Sequence, residues 1–142
     1  MEHAFWDSSA LVPLCVKQQA TPVVAALSAR FGLAVWWSTP VEIRSAFARL
    51  VRTGRLTGVG HAQAVIALDR MRQAWQEVEP NEQLRDLAER LIDRFTLKAA
   101  DAQQLAAALV WCLNRPQGRA FISGDAQLLY AARQLGFKAI EA

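Results

Sequence analysis

His3-Ala4-Phe5-Trp6-Asp7 is a short apolar run closed by an acidic residue, and it predicts a buried strand that opens the fold. Two further runs repeat the pattern, Leu-Ala-Val-Trp-Trp at residues 33–37 and Arg-Ala-Phe-Ile-Ser at residues 119–123. Strands that are apolar throughout are typical of a parallel sheet covered on both faces. Because helical stretches separate these runs, the sequence predicts an α/β fold with helices on both sides of a parallel sheet.

Helix signals fill the intervals between the apolar runs. We expect helices over residues 8–18, 21–31, 39 to about 54, 60–76, 84–95, 99–114 and 126–135, with short strands at Val78 and over 137–140. The segment 84–95 follows the i, i+3, i+4, i+7 spacing of an amphipathic helix. The segment 99–114 is almost wholly apolar after its first turn and is expected at the centre. Without a linker or repeat, residues 1–142 are expected to form a single domain.

The composition narrows the class of protein. The chain has 142 residues, of which 53% are hydrophobic and 20% charged, enough for a core without disulfide or metal staples and unlike a disordered chain. The longest apolar run, residues 105–113, is about half of the roughly 20 residues needed to span a bilayer. No secretory signal is visible, and Cys15 and Cys112 are expected as reduced core thiols of a cytoplasmic protein.

The basic residues are unevenly chosen and unevenly placed. The chain has 13 Arg against three Lys, a bias compatible with a nucleic-acid partner because Arg binds phosphate through a planar fork of donors. A base-composition bias of the coding genome explains the same count. Residues 42–76 contain six Arg and two acids, whereas residues 77–101 contain seven acids and four basic residues.

Four acidic residues stand at unusual places. Asp7 ends the first strand, Glu42 lies in the first turn of the helix after the second strand, and Asp125 lies between a strand and its helix. Asp101 is in the first turn of the apolar helix. Each has a structural explanation: Glu42 fits a capping box with Thr39, Asp125 fits an N-cap, and Asp101 favours the positive end of a helix. For the helix after the first strand, either Asp7 or Ser8 would be the cap.

Taken together, the four acids indicate a metal site. Three of them follow the carboxyl ends of strands, the edge of an open α/β sheet where ligands bind. Carboxylates gathered there repel one another unless a cation neutralises them, and oxygen ligands completed by water suit Mg²⁺ or Mn²⁺. Such ions activate water and stabilise the charge of a phosphodiester displacement. The constellation therefore predicts metal-assisted phosphoryl chemistry.

Other enzyme classes lack a required residue. A phosphatase with an aspartyl nucleophile would need a second Asp two places after Asp7, where Ser9 stands. No phosphate-binding G-x-x-x-x-G-K-[ST] loop, dinucleotide fingerprint or G-x-S-x-G turn occurs. His61 has no obvious catalytic partner, and we expect it to be a solvent-exposed residue at a helix start.

Four short motifs, in order, resemble those of PIN-domain ribonucleases, in particular VapC-type toxins. They read Asp-Ser-Ser-Ala-Leu-Val at 7–12, Ser-Thr-Pro-Val-Glu-Ile-Arg at 38–44, Leu-Lys-Ala-Ala-Asp-Ala-Gln-Gln-Leu-Ala at 97–106, and Phe-Ile-Ser-Gly-Asp-Ala-Gln-Leu-Leu at 121–129. The resemblance implies a three-layer α/β/α fold with a short, mostly parallel central sheet. It also implies an endoribonuclease dependent on Mg²⁺ or Mn²⁺, a homodimer, and a cognate antitoxin whose C-terminal segment occupies the active-site groove.

The resemblance also implies roles for single residues. By position, the catalytic metal ligands are Asp7, Glu42, Asp101 and Asp125. Ser9 and Ser123 match small hydroxyl residues that hold a ligand carboxylate or water. Gln104 departs from the many relatives that carry His there. The implied mechanism is in-line attack of a metal-activated water on an RNA phosphodiester, with Asp7 and Asp101 holding the principal ion.

Arg49 and Arg52 are candidate RNA contacts. At about 100° per helical residue they fall near the side of Glu42, where they would hold RNA phosphates or the antitoxin's acidic end. A solvated helix face is the alternative. For the five tryptophans we expect core packing of Trp6, Trp36, Trp37 and Trp111 rather than base stacking, and either a core or a dimer position for Trp75. The rival function is a non-catalytic PIN-like module that binds RNA or protein.

Overall fold

The three apolar runs and two shorter edge strands pair into one five-stranded parallel sheet in the computed structural model, which describes residues 1–142. The strands are β1 (His3–Trp6), β2 (Gly32–Trp36), β3 (Gln76–Val78), β4 (Ala120–Ser123) and β5 (Lys138–Glu141). The helices are α1 (Ser8–Cys15), α2 (Pro22–Arg30), α3 (Thr39–Arg52), α4 (Gly58–Arg72), α5 (Glu82–Phe95), α6 (Ala99–Trp111) and α7 (Ala126–Leu135). The order of the strands across the sheet is β3-β2-β1-β4-β5, so the first strand of the chain is central.

Alternate side chains of the central strands enter two separate cores. Phe5 packs with residues of α5, α6 and α7 on one face, while Ala4 and Trp6 pack with residues of α1, α2, α3 and α4 on the other. This alternation follows from the two-residue period of a strand. The protein is therefore a three-layer α/β/α fold, and its sheet is entirely parallel.

Several helix boundaries differ from those expected. The first predicted helix ends at Cys15, because Val16 is extended and a separate 3₁₀ turn follows at Lys17–Gln19. The apolar helix α6 ends at Trp111, since Leu113 and Asn114 adopt left-handed backbone angles. Helix α4 spans Gly58–Arg72 rather than residues 60–76, because Thr57 caps it and β3 takes the residues beyond.

The tryptophans divide between core and surface. Trp6 and Trp36 are buried in the strands, as expected, and Trp111 and Trp75 are partly buried against the two cores. The core position expected for Trp37 is wrong: its side chain is 52% exposed. The reason is that β2 ends at Trp36, so the next residue already lies in the turn that leads to α3.

Both cysteines are buried and unpaired, and burial raises the pKa of Cys15 to about 12. His61 lies within α4 rather than at its start and is partly buried, with its ring edge-on to Phe47. None of the helices combines the length and the apolar character that a bilayer crossing needs.

The chain direction across the sheet reverses beside β1. The chain moves from β1 to β2 and β3 on one side and later fills β4 and β5 on the other, so β1 and β4 form the topological switch point. The amide of Asp7 donates a hydrogen bond to the carbonyl of Ile122 at 2.9 Å. The carboxyl ends of these two strands are thus adjacent, at the place where open α/β sheets bind ligands.

Candidate active site

Asp7 is the buried acid of the site. It follows β1, its side chain is 3% exposed, and Oδ2 accepts hydrogen bonds from the hydroxyls of Ser9 and Ser123, the latter at 2.9 Å. Burial raises the pKa of Asp7; the two serine hydrogen bonds oppose that shift and the charge of Asp125 adds to it. Although Asp7 precedes α1, its carboxylate makes no capping hydrogen bond, so the N-cap alternative does not describe its side chain.

Ser9 and Ser123 tie the ends of β1 and β4 together. The Ser9 hydroxyl accepts from the amide of Gly124 at 2.9 Å, and the Ser123 hydroxyl accepts from the amide of Asp125 at 3.0 Å. The two hydroxyl oxygens lie 3.3 Å apart. Both serines therefore contact the Asp7 carboxylate, which is the kind of contact that the family resemblance implies for them, and they join it to the β4–α7 turn.

Asp125 both caps a helix and faces the other acids. Its Oδ1 accepts from the amide of Leu128 at 3.0 Å, which confirms the N-cap interpretation. Its Oδ2 accepts no hydrogen bond from the protein, and its charge raises the pKa of both Asp7 and Asp101. Capping uses one oxygen and leaves the second available to a ligand.

Glu42 is held by side chains rather than by a capping box. Ser8 donates to Oε1 at 2.9 Å and Ser38 donates to Oε2 at 3.0 Å. The capping-box alternative is wrong, because Ser38 rather than Thr39 precedes the first turn of α3 and the carboxylate is occupied by hydroxyl donors. Burial raises the pKa of Glu42, and the charge of Asp7 raises it further against these hydrogen bonds.

Gln104 also belongs to the site, although the sequence pattern indicated only the four acids. It is fully buried on α6, and its Nε2 donates to both oxygens of Glu42 at 3.3 Å and to the hydroxyl of Thr39 at 3.2 Å. Its Oε1 is buried without a partner. The available signal was a polar amide among the buried apolar residues of α6, a position that normally requires hydrogen bonds.

Asp101 completes the set from the first turn of α6. Its pKa is raised to about 6, first by burial and then by the charges of Asp7, Asp125 and Glu42, with Lys98 opposing the shift. All four acids predicted from the sequence therefore share one electrostatic field at this edge of the sheet. Ordinary surface carboxylates, separated by solvent, would not shift one another in this way.

None of the four acids forms an ion pair with a basic side chain. The single ion pair of the structure, Arg85 with Glu82 at 3.9 Å, lies on the exposed face of α5. No three acidic, His or Cys side chains converge closely enough to make a ready-formed metal cage. Because Mg²⁺ usually keeps several waters and takes only one or two carboxylates directly, the donor set fits a hydrated Mg²⁺ or Mn²⁺.

A polar groove of about 400 Å³ runs from Glu42 along α1 and α3. Arg49 lines it, as expected, together with Arg55. Arg52 does not: it lines a separate cleft beside His61. Ten residues from Glu42, it falls about 80° round the helix, whereas Arg49 falls within about 20°. A larger cavity of about 480 Å³, between α5 and α6, contains none of the predicted site residues.

No protein-family model and no curated protein matches this chain. Among solved structures it is similar to the crystal structure of PAE2754 from Pyrobaculum aerophilum, with a TM-score of 0.69 and 20% sequence identity. The match covers 99% of this chain and 89% of that chain. A likeness at this identity shows that the two proteins share a fold.

Proposed function

We propose that this protein is a metal-dependent endoribonuclease of the PIN-domain type, hydrolysing RNA phosphodiester bonds as VapC-type toxins do. The observation that carries the proposal is the unpaired acidic edge, formed by four carboxylates from four chain segments: the charges of the other three raise the pKa of Asp101, and no Lys or Arg forms an ion pair with any of the four. Such an arrangement is costly for stability alone, and it is expected where a cation is to be bound.

The four acids have different environments and therefore different roles. Asp7 and Asp101 would hold the principal Mg²⁺ or Mn²⁺, and Glu42 and Asp125 would complete its shell or orient its waters. When bound, the ion supplies a water nucleophile at neutral pH and stabilises the negative charge that develops on the phosphodiester. The chain's part is to turn these carboxylates correctly in a site that is partly closed to water, with hydrogen bonds that oppose the rise in pKa caused by burial.

The hydroxyl residues carry out that orientation. The hydroxyls of Ser9 and Ser123 both hold Oδ2 of Asp7, and neither of them contacts Oδ1. Ser8, Ser38 and Gln104 hold both oxygens of Glu42. Ligand carboxylates that are fixed by outer hydrogen bonds bind metal more tightly than freely rotating ones.

The test is RNA cleavage by the purified protein. Mixed cellular RNA incubated with Mg²⁺ or Mn²⁺ is expected to be cut, and excess chelator is expected to stop the reaction. Asp7→Asn is expected to abolish cleavage while keeping the circular-dichroism spectrum and cooperative unfolding of the wild type. Undiminished cleavage by Asp7→Asn, or in chelator, would contradict the proposal. RNA binding without any cleavage would favour a non-catalytic module.

A control variant separates the site from general charge effects. Asp86 is an exposed acid on α5, and Asp86→Asn removes the same charge away from the edge. We expect it to cleave at the wild-type rate. Sequencing the 5′ ends of cellular RNA after a pulse of expression, wild type against Asp7→Asn, would then identify the RNA and the bases that are cut.

The resemblance also leads us to propose the partners of the protein. We propose a homodimer that acts on RNA in the cytoplasm and is restrained by a cognate antitoxin. Sedimentation of the purified chain tests the dimer. A short neighbouring reading frame that encodes a DNA-binding protein, and co-purification of that protein with this chain, would support the antitoxin partner; its absence would favour an RNA-processing role.

A further inference from the structure

The end of α3 turns the chain back toward the groove. The amide of Arg55 donates to the carbonyl of Leu50 at 2.8 Å, and the amide of Gly54 donates to the carbonyl of Val51 at 3.1 Å. Gly54 has a φ of +74°, which completes the Schellman ending of a helix. Leu56 is buried directly afterwards and anchors the turn. The Arg55 side chain consequently lines the groove with Arg49, although it lies beyond the helix.

The lining of this groove is suited to a sugar–phosphate chain. Arg49 and Arg55 line it with Ser45 and Gln19, and its hydrophobic lining residues are limited to Val12, Ala46 and Leu50. Arg, Ser and Gln are the side chains that commonly contact phosphate oxygens. A docked peptide, in contrast, would find little apolar surface on which to bury an anchor residue.

The charge of the groove points the same way. Neither Arg49 nor Arg55 forms an ion pair, and both side chains are exposed. Two unpaired guanidinium groups in one groove repel each other and attract a chain of anions. The groove also reaches Glu42 and Ser8, so a strand lying in it would arrive at the acidic edge.

We propose that Arg49 and Arg55 form a phosphate-binding subsite that holds the backbone of single-stranded RNA beside the acidic edge. The inference rests on the proposed endoribonuclease function and adds its substrate contacts. Each arginine would make a forked, charge-assisted contact to a phosphate, which positions the strand and carries no base specificity. Arg52, on the same helix but in another cleft, would take no part.

The experiment compares two double variants that lose the same charge. Arg49→Gln with Arg55→Gln removes the subsite, whereas Arg44→Gln with Arg52→Gln removes two arginines that line other clefts. Binding of a fluorescein-labelled uridine 12-mer is measured by anisotropy in EDTA, so that no cleavage occurs, over a series of salt concentrations. Circular dichroism and thermal unfolding verify that each variant is folded.

The expected result is a change of slope confined to the groove variant. Loss of two phosphate contacts should lower the magnitude of the slope of log K against log salt by about 1.4, at about 0.7 per contact to a single strand. The control pair should keep the wild-type slope. The proposed subsite would be overturned by an unchanged slope in the groove variant, which carries Arg49→Gln and Arg55→Gln. An equal decrease in slope in both double variants would also overturn it.

Two further outcomes separate this inference from the proposed function. Metal-dependent RNA cleavage with an unchanged slope in the groove variant would overturn the subsite and leave the nuclease proposal standing. If the groove variant instead loses binding of a polyglutamate peptide while its RNA slope is unchanged, the groove recognises protein carboxylates and the RNA subsite is overturned. A wild-type protein that neither binds nor cuts RNA would overturn both.

Discussion

The side-chain amide of Gln104, on α6, donates hydrogen bonds to both carboxylate oxygens of Glu42, on α3, at 3.3 Å each. The two helices pack on opposite faces of the sheet, so this contact joins the two outer layers across the carboxyl edge. The amide can donate to a carboxylate but cannot neutralise it. The contact therefore turns and fixes the acid while leaving its charge available to a cation.

Gln104→Leu is expected to weaken the site without weakening the fold. Leucine has a similar volume and removes the donor to Glu42 together with a buried, unpartnered Oε1. Loss of an outer hydrogen bond to a metal ligand costs about 10- to 100-fold in metal affinity or activity. The free energy of unfolding should change little, because removal of the unsatisfied Gln104 oxygen offsets the loss of the donor to the buried Thr39 hydroxyl. Calorimetric Mn²⁺ titration and urea unfolding measure the two quantities.

The neighbouring Gln103→Leu is the control for this variant, because Gln103 is exposed on the same helix and makes no hydrogen bond to Glu42. It should retain Mn²⁺ affinity. A Gln104→Leu protein with wild-type Mn²⁺ affinity, or one that loses affinity and cooperative unfolding together, would show that Gln104 acts in packing alone.

The metal-free protein is expected to become less stable as pH rises. The pKa of Asp101 is about 6 in the folded protein, against 3.8 for an Asp side chain in the unfolded chain. Between these two pH values the folded state holds a proton that the unfolded chain has released. A native state with more bound protons loses stability with rising pH. The loss of folding stability caused by Asp101 is absent below pH about 4 and complete above pH about 6. The raised pKa values of Asp7 and Glu42 act in the same direction.

Asp101→Asn isolates this effect from other titrations. Thermal unfolding of both proteins in EDTA should show the wild type falling further below the variant between pH 5 and pH 7.5. Added Mn²⁺ should close the difference at pH 7.5, since the ion replaces the proton as the neutralising partner. A difference that stays constant with pH would contradict the shared acidic field.

Mn²⁺ is expected to stabilise the wild type but not Asp7→Asn. Burial disfavours the charged form of the Asp7 carboxylate. Without metal, the uncharged Asn variant should therefore unfold at a temperature equal to or higher than that of the wild type. At Mn²⁺ about 100 times its Kd, the wild type should gain about 2.7 kcal/mol. Thermal shifts over a Mn²⁺ series measure the gain. An equal gain in both proteins would place the ion somewhere other than beside Asp7.

The part of the site that follows from local sequence was predictable. Parallel strands end at the same edge of a sheet, so the apolar runs that precede Asp7 and Asp125 place these two residues close together. Ser9 and Ser123 lie within two residues of these acids and are therefore at the same edge. Asp125 was also predicted as a cap, and it is one. In these cases the chain neighbours of a residue determine where its side chain lies.

The rest depends on contacts between segments far apart in the chain. Gln104 meets Glu42 across 62 residues, and nothing in the spacing of either helix reveals the pair. Trp37 differs from Trp36 only in lying one position beyond the strand. Helical periodicity predicted that Arg52 lies on the side of Glu42, but Arg52 lines a separate cleft. Periodicity does not apply beyond the end of a helix, so it gave no prediction for Arg55, which the turn at Gly54 brings back to the groove.

A comparison of two glycines tests that turn: Gly54 lies in the turn itself, and Gly58 is the first residue of α4. Neither Gly54 nor Gly58 has an atom within 4 Å of an added Cβ, so a methyl group causes no clash at either position. Only Gly54 has a positive φ, at +74°. Gly54→Ala should therefore cost about 1 kcal/mol of stability, because an L side chain disfavours the left-handed region.

Gly58→Ala is the matched control and should have the opposite sign. Gly58 is the first residue of α4, where alanine adopts the backbone without strain and reduces the entropy of the unfolded chain, a gain of about 0.4–1 kcal/mol. Urea unfolding of both variants measures the difference. If Gly54 holds Arg55 in the groove, Gly54→Ala should also weaken RNA binding while Gly58→Ala leaves it unchanged; equal binding by the two would show that the groove does not depend on this turn.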